Sequence, residues 1–565
     1  MTLTYEEVAA QVTAPGQLFE VVEEDVVGVR QRVFAHAPAT LRQLFDSARG
    51  HGERTFLVFE DERWSFARVM ASVDALAAAL VGRYGVRPGD RVAIGMRNYP
   101  EWVVSFAAIT SIGAISVSLN AWWGEEELAF ALEDSSPRVL VADRERATRA
   151  AGTAGTAGTA ARLGIVVVRS AGGEGLPPGA ARWEDVVVAG APMPAVEVGT
   201  DDDATILYTS GTTGRPKGAV STNRAVLQAL FGFACRAVIE RIRKGADAPE
   251  DEGELTDMSF ILVVPLFHVT GCVPVMLSCF ALGMKMVMMH RWEPDRALAL
   301  IEREQVTTFV GVPTQSWDLL ESPRFHELDT SSLRSVGGGG APAPATLVQR
   351  VADSFGRGTP AIGYGMTETN ALGPGNSGAD YLAHPTSTGC TVPILQVSIR
   401  DGLEGELPVG RSGEIWLKGP NLIRGYWNRP DATAGAFVDG WMRTGDLGRL
   451  DGEGFLYIED RIKDVILRAG ENVYPAEVES VLYEHPAVRE AAVVGVTHER
   501  LGEEVAAVVV TRQGTTVGAA EIQAFVGERL ATFKVPSRVQ VVPGPLPRNA
   551  AGKVLKRELR ERFSD

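Results

Sequence analysis

Residues 208–218 read Tyr-Thr-Ser-Gly-Thr-Thr-Gly-Arg-Pro-Lys-Gly and continue the run Ala204-Thr-Ile-Leu-Tyr208, which has the character of a buried strand. This step from strand to loop constrains the chain more than any other feature. Three glycines, four Ser/Thr hydroxyls, one Arg and one Lys in eleven positions give a loop whose backbone N–H groups and cation suit a polyphosphate. The loop is not of the Walker A type, which wants Gly before the Lys and Ser or Thr after it. Here Pro216 precedes Lys217 and Gly218 follows. Taken alone, the segment also reads as a Gly/Ser surface loop.

At 565 residues and 45% hydrophobic, the chain exceeds what one core holds and predicts two or more domains. A net charge of −16 disfavours nucleic acid and anionic membranes as general partners. Cys235, Cys272, Cys279 and Cys390 are scattered without metal spacing, which predicts buried thiols in a reducing cytoplasm. The N-terminus lacks the basic head and apolar core of a signal peptide. Trp102–Leu119 is apolar but carries four Ser, one Thr and Gly113. It reads as a core helix running into a buried strand, not as an integral membrane segment.

Helix-like and strand-like segments alternate from 40 to 400. Val73–Tyr84 has helical spacing; Arg91–Gly95 and Val139–Ala142 read as buried strands. The pattern predicts an α/β fold: a large N-terminal domain of packed, mainly parallel sheets and helices. Ala150–Ala161 and Lys244–Asp257 read as surface loops. From Asp464 a new pattern begins, with Val473–Tyr483, strands at Ala491–Val496 and Val505–Val510, a helix at Ala520–Leu530 and a strand at Val539–Val542. This predicts a small α+β domain over 461–565, joined to residues 1–460 by a tight hinge at Asp460–Lys463.

Five further segments carry chemistry. Gly363-Tyr-Gly-Met-Thr-Glu368 has two glycines of a dinucleotide fingerprint but Glu in place of the third, so a Rossmann reading is weak. Gly337-Gly-Gly-Gly-Ala-Pro342 lets backbone approach a flat ligand closely. Thr444-Gly-Asp446, Asp460-Arg-Ile-Lys-Asp464 and Pro547-Arg-Asn-Ala-Ala-Gly-Lys553 follow in order. Singly these read as a turn-capping Asp, a charged linker and an ordinary terminal Lys. Together with the first loop, in this order along nearly the whole chain, they resemble the adenylate-forming superfamily, which comprises acyl-CoA synthetases, luciferases and peptide-synthetase adenylation domains.

The resemblance implies ATP, Mg²⁺ and coenzyme A as cofactors and co-substrates. Thr209, Ser210, Gly211, Thr212, Thr213, Gly214 and Lys217 would hold the phosphates. Gly339, Gly340, Ala341, Pro342, Gly363 and Gly365 would flank the nucleotide, with Tyr364 stacked on adenine. Thr367 would bond the α-phosphate; Glu368, with Thr209, would hold Mg²⁺. Asp446 would take the ribose hydroxyls, and Arg461 would contact ribose and phosphate. Lys463 would be the pivot, and Lys553 would bridge the substrate carboxylate and α-phosphate as a fixed positive charge.

The acid and the acceptor are read from two more segments. Pro265-Leu-Phe-His-Val-Thr-Gly271 resembles the family's acyl entrance. Amino-acid-activating members carry an Asp in this region, whereas this chain offers Phe267 and His268, which argues for an acid without an α-amine. The run Cys272–Leu282, with Gly311 and Gly338, would line a pocket for a hydrocarbon or aryl group. Gly470 in Gly470-Glu-Asn-Val-Tyr-Pro475 would open a pantetheine channel. With no carrier domain after Lys553, free CoA is the better acceptor. The expectation is a medium- or long-chain fatty acid–CoA ligase, with aryl or isoprenoid-derived acids, transfer to a carrier protein, a luciferase-type oxygenase and a non-catalytic binding module as alternatives. A homodimer is left open.

Overall fold

The computed structural model describes residues 3–153, 163–170, 175–209, 215–244, 258–341, 343–402, 405–512, 514–549 and 552–563. Most of the expected phosphate loop (Ser210, Gly211, Thr212, Thr213, Gly214), Pro342, 154–161 of one expected surface loop and 245–257 of the other lie outside them.

Among the described residues the N-terminal part holds two eight-stranded sheets. In the first, Arg91–Gly95 pairs in parallel with Ile115–Ser118 and Val139–Asp143. The strand Asp203–Thr209 joins in parallel beside Ile115–Ser118 and then turns back antiparallel into Lys217–Thr222. The second sheet has a parallel centre that includes Ser259–Leu262, Thr308–Gly311, Ser335–Gly339 and Thr359–Gly363. Strands covered on both faces read as continuous apolar runs, and Val139–Asp143 is buried at every position. The expected mainly parallel α/β architecture is present.

The apolar stretch that raised the membrane question is a helix, Pro100–Ser111, buried at all twelve positions, followed by the buried strand Ile115–Ser118. No helix among the described residues is long and apolar enough to cross a membrane. Phe66–Gly82 is helical from the Ser65 cap, whose hydroxyl accepts the Arg68 N–H at 3.1 Å, and so begins earlier than the expected segment at Val73. Ala150–Thr153, expected in a loop, instead completes the helix Arg144–Thr153. Lys244 likewise ends the helix Asn223–Lys244. Cys235, Cys272 and Cys279 are buried free thiols; Cys390 is half-buried.

A third, antiparallel sheet contains Trp441–Leu450 and Leu456–Arg461. After a short 3-10 turn at Ile462–Asp464, the smaller C-terminal domain forms its own five-stranded sheet around Val488–His498 and Gly502–Thr511. Helices Pro475–Tyr483 and Ala519–Gly527 cover one core of this sheet, and Lys556–Glu561 packs against its other face.

Candidate active site

The C-terminal ends of the strands in both large sheets open on one cavity of about 1230 Å³, where ligands gather in open α/β sheets. Thr209 and Lys217, on either side of the loop 210–216, line it from the first sheet. Gly311, Gly338, Gly339, Gly340 and Gly363 line it from the second. Gly365, Thr367, Glu368, Phe267, His268, Asp446, Arg461, Lys463 and Lys553 also reach its wall. Segments separated by hundreds of residues thus meet in one space. At Gly365 a side chain has no room, because a Cβ would lie 2.3 Å from the Ala371 carbonyl oxygen.

Strand register places the first charged pair. Asp446 and Arg461 are cross-strand partners, and Arg461 Nε lies 3.3 Å from Asp446 Oδ1. The Tyr364 hydroxyl donates to Asp446 Oδ2 at 2.7 Å. Tyr364 is itself buried behind the wall, and burial beside the Asp446 charge holds its hydroxyl well above the usual tyrosine range. Asp446 is therefore a buried carboxylate with fixed orientation, offering its remaining lone pairs to the cavity.

Lys553 enters from the small domain on a tight turn. Asn549 N–H donates to the Lys553 carbonyl at 2.9 Å, and Lys553 N–H donates to Asn549 Oδ1 at 2.9 Å. Arg548 ties this turn to the small domain's sheet by donating to Glu490 at 2.7 Å. Burial, and then the Arg461 charge, lower the Lys553 ammonium from 10.5 to about 8, with Asp446 opposing. A half-buried ammonium beside another cation is a site waiting for anions.

Glu368 lines the cavity, and its Oε1 accepts the Tyr426 hydroxyl at 2.8 Å. Lys217 Nζ lies 5.1 Å from the Tyr426 ring centre. Tyr426 therefore joins Lys217 to Glu368. The sequence reading missed it: Tyr426 is far from both partners in the chain, and only the pairing of Gly425–Tyr426 with Lys217–Thr222 brings it there. Among the described residues no cluster of three or more His, Cys, Asp or Glu could hold a metal alone.

His268 stands where the Pro265 segment turns into the π-helix Gly271–Leu277, a distortion common at functional sites. Its Nδ1 accepts the Thr270 N–H at 3.3 Å, so the neutral ring carries its proton on Nε2. Burial lowers its pKa from 6.5 to about 4. Beyond His268 the cavity continues along the second sheet. Thr308 and Gly311 line it at opposite ends of one strand, and Ser335 and Gly339 at opposite ends of the next. Leu230, Ala234 and Val238 of the helix Asn223–Lys244 line the same cavity, as do Met258 and Met284. None of these apolar residues was singled out in the sequence.

Among the described residues, three expected at the site are not on the cavity wall: Tyr364, Ala341 and Gly470. Gly470 sits in an exposed turn at φ +87° between the strands Ile466–Arg468 and Glu471–Val473, with open space where a Cβ would stand.

The fold and this cavity define an adenylate-forming enzyme, and sequence comparison agrees. The AMP-binding enzyme model matches residues 44–427, and the AMP-binding enzyme C-terminal domain model matches residues 477–553. The chain belongs to the AMP-binding enzyme family. It is 38% identical to a feruloyl-CoA synthase of an Amycolatopsis species, over 88% of this chain and 94% of that protein. It is 34% identical to a long-chain-fatty-acid–CoA ligase of Mycobacterium tuberculosis, over 89% and 94%. The crystal structure of ATP-bound MatB from Rhodopseudomonas palustris superposes with a TM-score of 0.80 at 32% identity, covering 93% of this chain and 99% of that one.

Proposed function

We propose that this AMP-forming acid–CoA ligase activates a medium- or long-chain hydrophobic carboxylic acid. A carboxylate oxygen of the acid attacks the α-phosphorus of ATP and the bond to pyrophosphate breaks, leaving an acyl-adenylate. The thiol of CoA then attacks the acyl carbonyl carbon, AMP departs, and the thiol proton passes to solvent.

Lys553, Thr367 and Arg461 are the groups assigned to the first step. Lys553 supplies positive charge between the carboxylate and the α-phosphate, where negative charge builds up. Thr367 donates to the α-phosphate. Arg461 and Asp446 fix the ribose, and Thr209, the loop 210–214 and Lys217 hold the outer phosphates. Gly339, Gly340, Gly363 and Gly365 flank the base. Glu368 and Thr209 offer hard oxygen donors and no competing sulfur or imidazole. One carboxylate plus hydroxyl, water and phosphate oxygens is the donor set Mg²⁺ takes. Mg²⁺ held there would add positive charge at the phosphates. The small domain beyond Lys463 pivots about that residue between the two steps, withdrawing Lys553 and bringing Gly470 toward the entering thiol.

The depth of the acid arm carries the choice of substrate. It follows the strand from Ser335 to Gly338, about 10 Å at strand rise. The whole cavity exceeds the usual volume for one small ligand. An extended hydrocarbon uses that depth better than a single ring does. The second reading, an aryl acid, is favoured by the identity to a feruloyl-CoA synthase. A panel of acids of graded length and aromaticity, scored for CoA-dependent AMP formation, separates the two. Specificity constants should rise with chain length beyond eight carbons; a maximum at hydroxycinnamates with no turnover of alkanoates would reverse the choice.

A further inference from the structure

The helix Pro313–Glu321 belongs to the large domain and begins just after Gly311 and Val312 on the cavity wall. Its last turn carries Trp317 and Glu321, four residues apart and so on one face. Arg512 stands at the end of the small domain's strand Gly502–Thr511. Its guanidinium pairs with Glu321 and lies 5.1 Å from the Trp317 ring centre. Arg350, on the neighbouring helix Ala345–Ser354, lies 5.0 Å from the same ring. The Arg512 and Glu321 side chains are 26% and 29% exposed, so the pair is partly screened from solvent.

The same helix is touched at its other end. Gly552, which precedes Lys553, packs on Val312: a Cβ there would fall 3.0 Å from Val312 Cγ2. The small domain therefore meets one helix of the large domain at two points, about 13 Å apart by helix rise. A single contact permits pivoting, whereas two set the orientation in which Lys553 reaches the cavity. Arg512 is committed to its own domain through its backbone, whose N–H donates to the Ala487 carbonyl at 2.9 Å. Its side chain is spent on the large domain.

We propose that Trp317, Glu321 and Arg512 are positioning residues that hold the small domain with Lys553 in the cavity during adenylation and part for the thioester step. The proposal rests on the role given to Lys553 above. A cation over an indole together with a partly exposed ion pair contributes enough to shift this equilibrium about tenfold.

The test is rapid-quench measurement of each half-reaction in the full-length protein: adenylate formation from acid and ATP, and thioester formation from supplied acyl-adenylate and CoA. Arg512→Glu, Glu321→Arg and Trp317→Leu should each slow adenylation about tenfold and leave thioester formation unchanged or faster. The double variant Arg512→Glu/Glu321→Arg should recover adenylation to within about threefold of wild type. Equal slowing of both half-reactions by Arg512→Glu overturns the proposal, as does failure of the double variant to recover. Lys553→Ala is measured alongside. Should it cripple adenylation while Arg512→Glu does not, this proposal alone fails. Should it leave adenylation intact, the reading of Lys553 fails and the proposal with it.

Discussion

The charge of Lys553 should be visible as a proton dissociation in the first half-reaction. Burial and the neighbouring Arg461 lower its pKa from 10.5 to about 8, a difference of about 3 kcal/mol against the charged form. The sign follows from the two states of the chain. Below pH 8 Lys553 is charged both folded and unfolded, so that cost is present in full. It diminishes as pH rises from about 8 and is gone above 10.5, where both forms are neutral. Adenylation needs the charged form, so activity and this local strain run in opposite directions with pH. In the free enzyme about a tenth of Lys553 is protonated at pH 9, and kcat/KM for the acid should fall about tenfold between pH 7 and 9. Bound ATP and carboxylate raise the pKa, so kcat should fall less over the same range. Lys463 is shifted in the same direction by burial. Lys553→Arg isolates the residue of interest, because a guanidinium keeps its proton throughout. That variant should be slower overall but flat to pH 10 in a stopped-flow pyrophosphate-release assay. An identical fall in Lys553→Arg, or no fall in the wild-type protein by pH 9.5, would refute the reasoning.

Other outcomes follow from the same geometry. Glu368→Gln keeps shape and the Tyr426 contact but removes the charge offered to Mg²⁺, so adenylation should drop about a hundredfold with the thermal transition unchanged; wild-type pyrophosphate release from this variant rejects the assignment. His268 is neutral above pH 6, given a pKa of about 4, so acid preference should not change between pH 6 and 8. Substituting Phe267 or His268 should reorder preference among acids while leaving apparent ATP affinity nearly constant; an equal loss of ATP affinity means the segment is structural. Lys463→Pro fixes φ at the pivot and restricts Ile462, so adenylation should survive while thioester formation falls in single-turnover assays.

The sequence was most readable where function demands particular residue types in a short run. The loop at 208–218, the Gly363–Glu368 segment and the Lys553 turn each compress their chemistry into a few neighbouring residues, and each reaches or flanks the cavity. Strand-like runs such as Val139–Ala142 were legible because burial on both faces leaves a continuous apolar signature. What stayed hidden depends on contacts between distant parts. Tyr426 meets Glu368 only through the pairing of a two-residue strand. Leu230, Ala234 and Val238 read as ordinary core on a helix, and only the fold makes them part of a cavity wall. Tyr364 sits behind the wall because Asp446, on a different sheet, takes its hydroxyl. Helix starts were missed where a cap rather than periodicity decides, as at Ser65.

The central claim is that one cavity makes an acyl-adenylate and then passes the acyl group to CoA. Mixing enzyme in excess over a hydrophobic acid with Mg·ATP, without CoA, and quenching in acid for mass spectrometry tests it most directly. Acyl-adenylate should accumulate on the enzyme, one per site, and disappear with matching appearance of acyl-CoA and AMP when CoA is added. Acyl-CoA formed without a preceding adenylate, or an adenylate that CoA does not consume, would contradict the account.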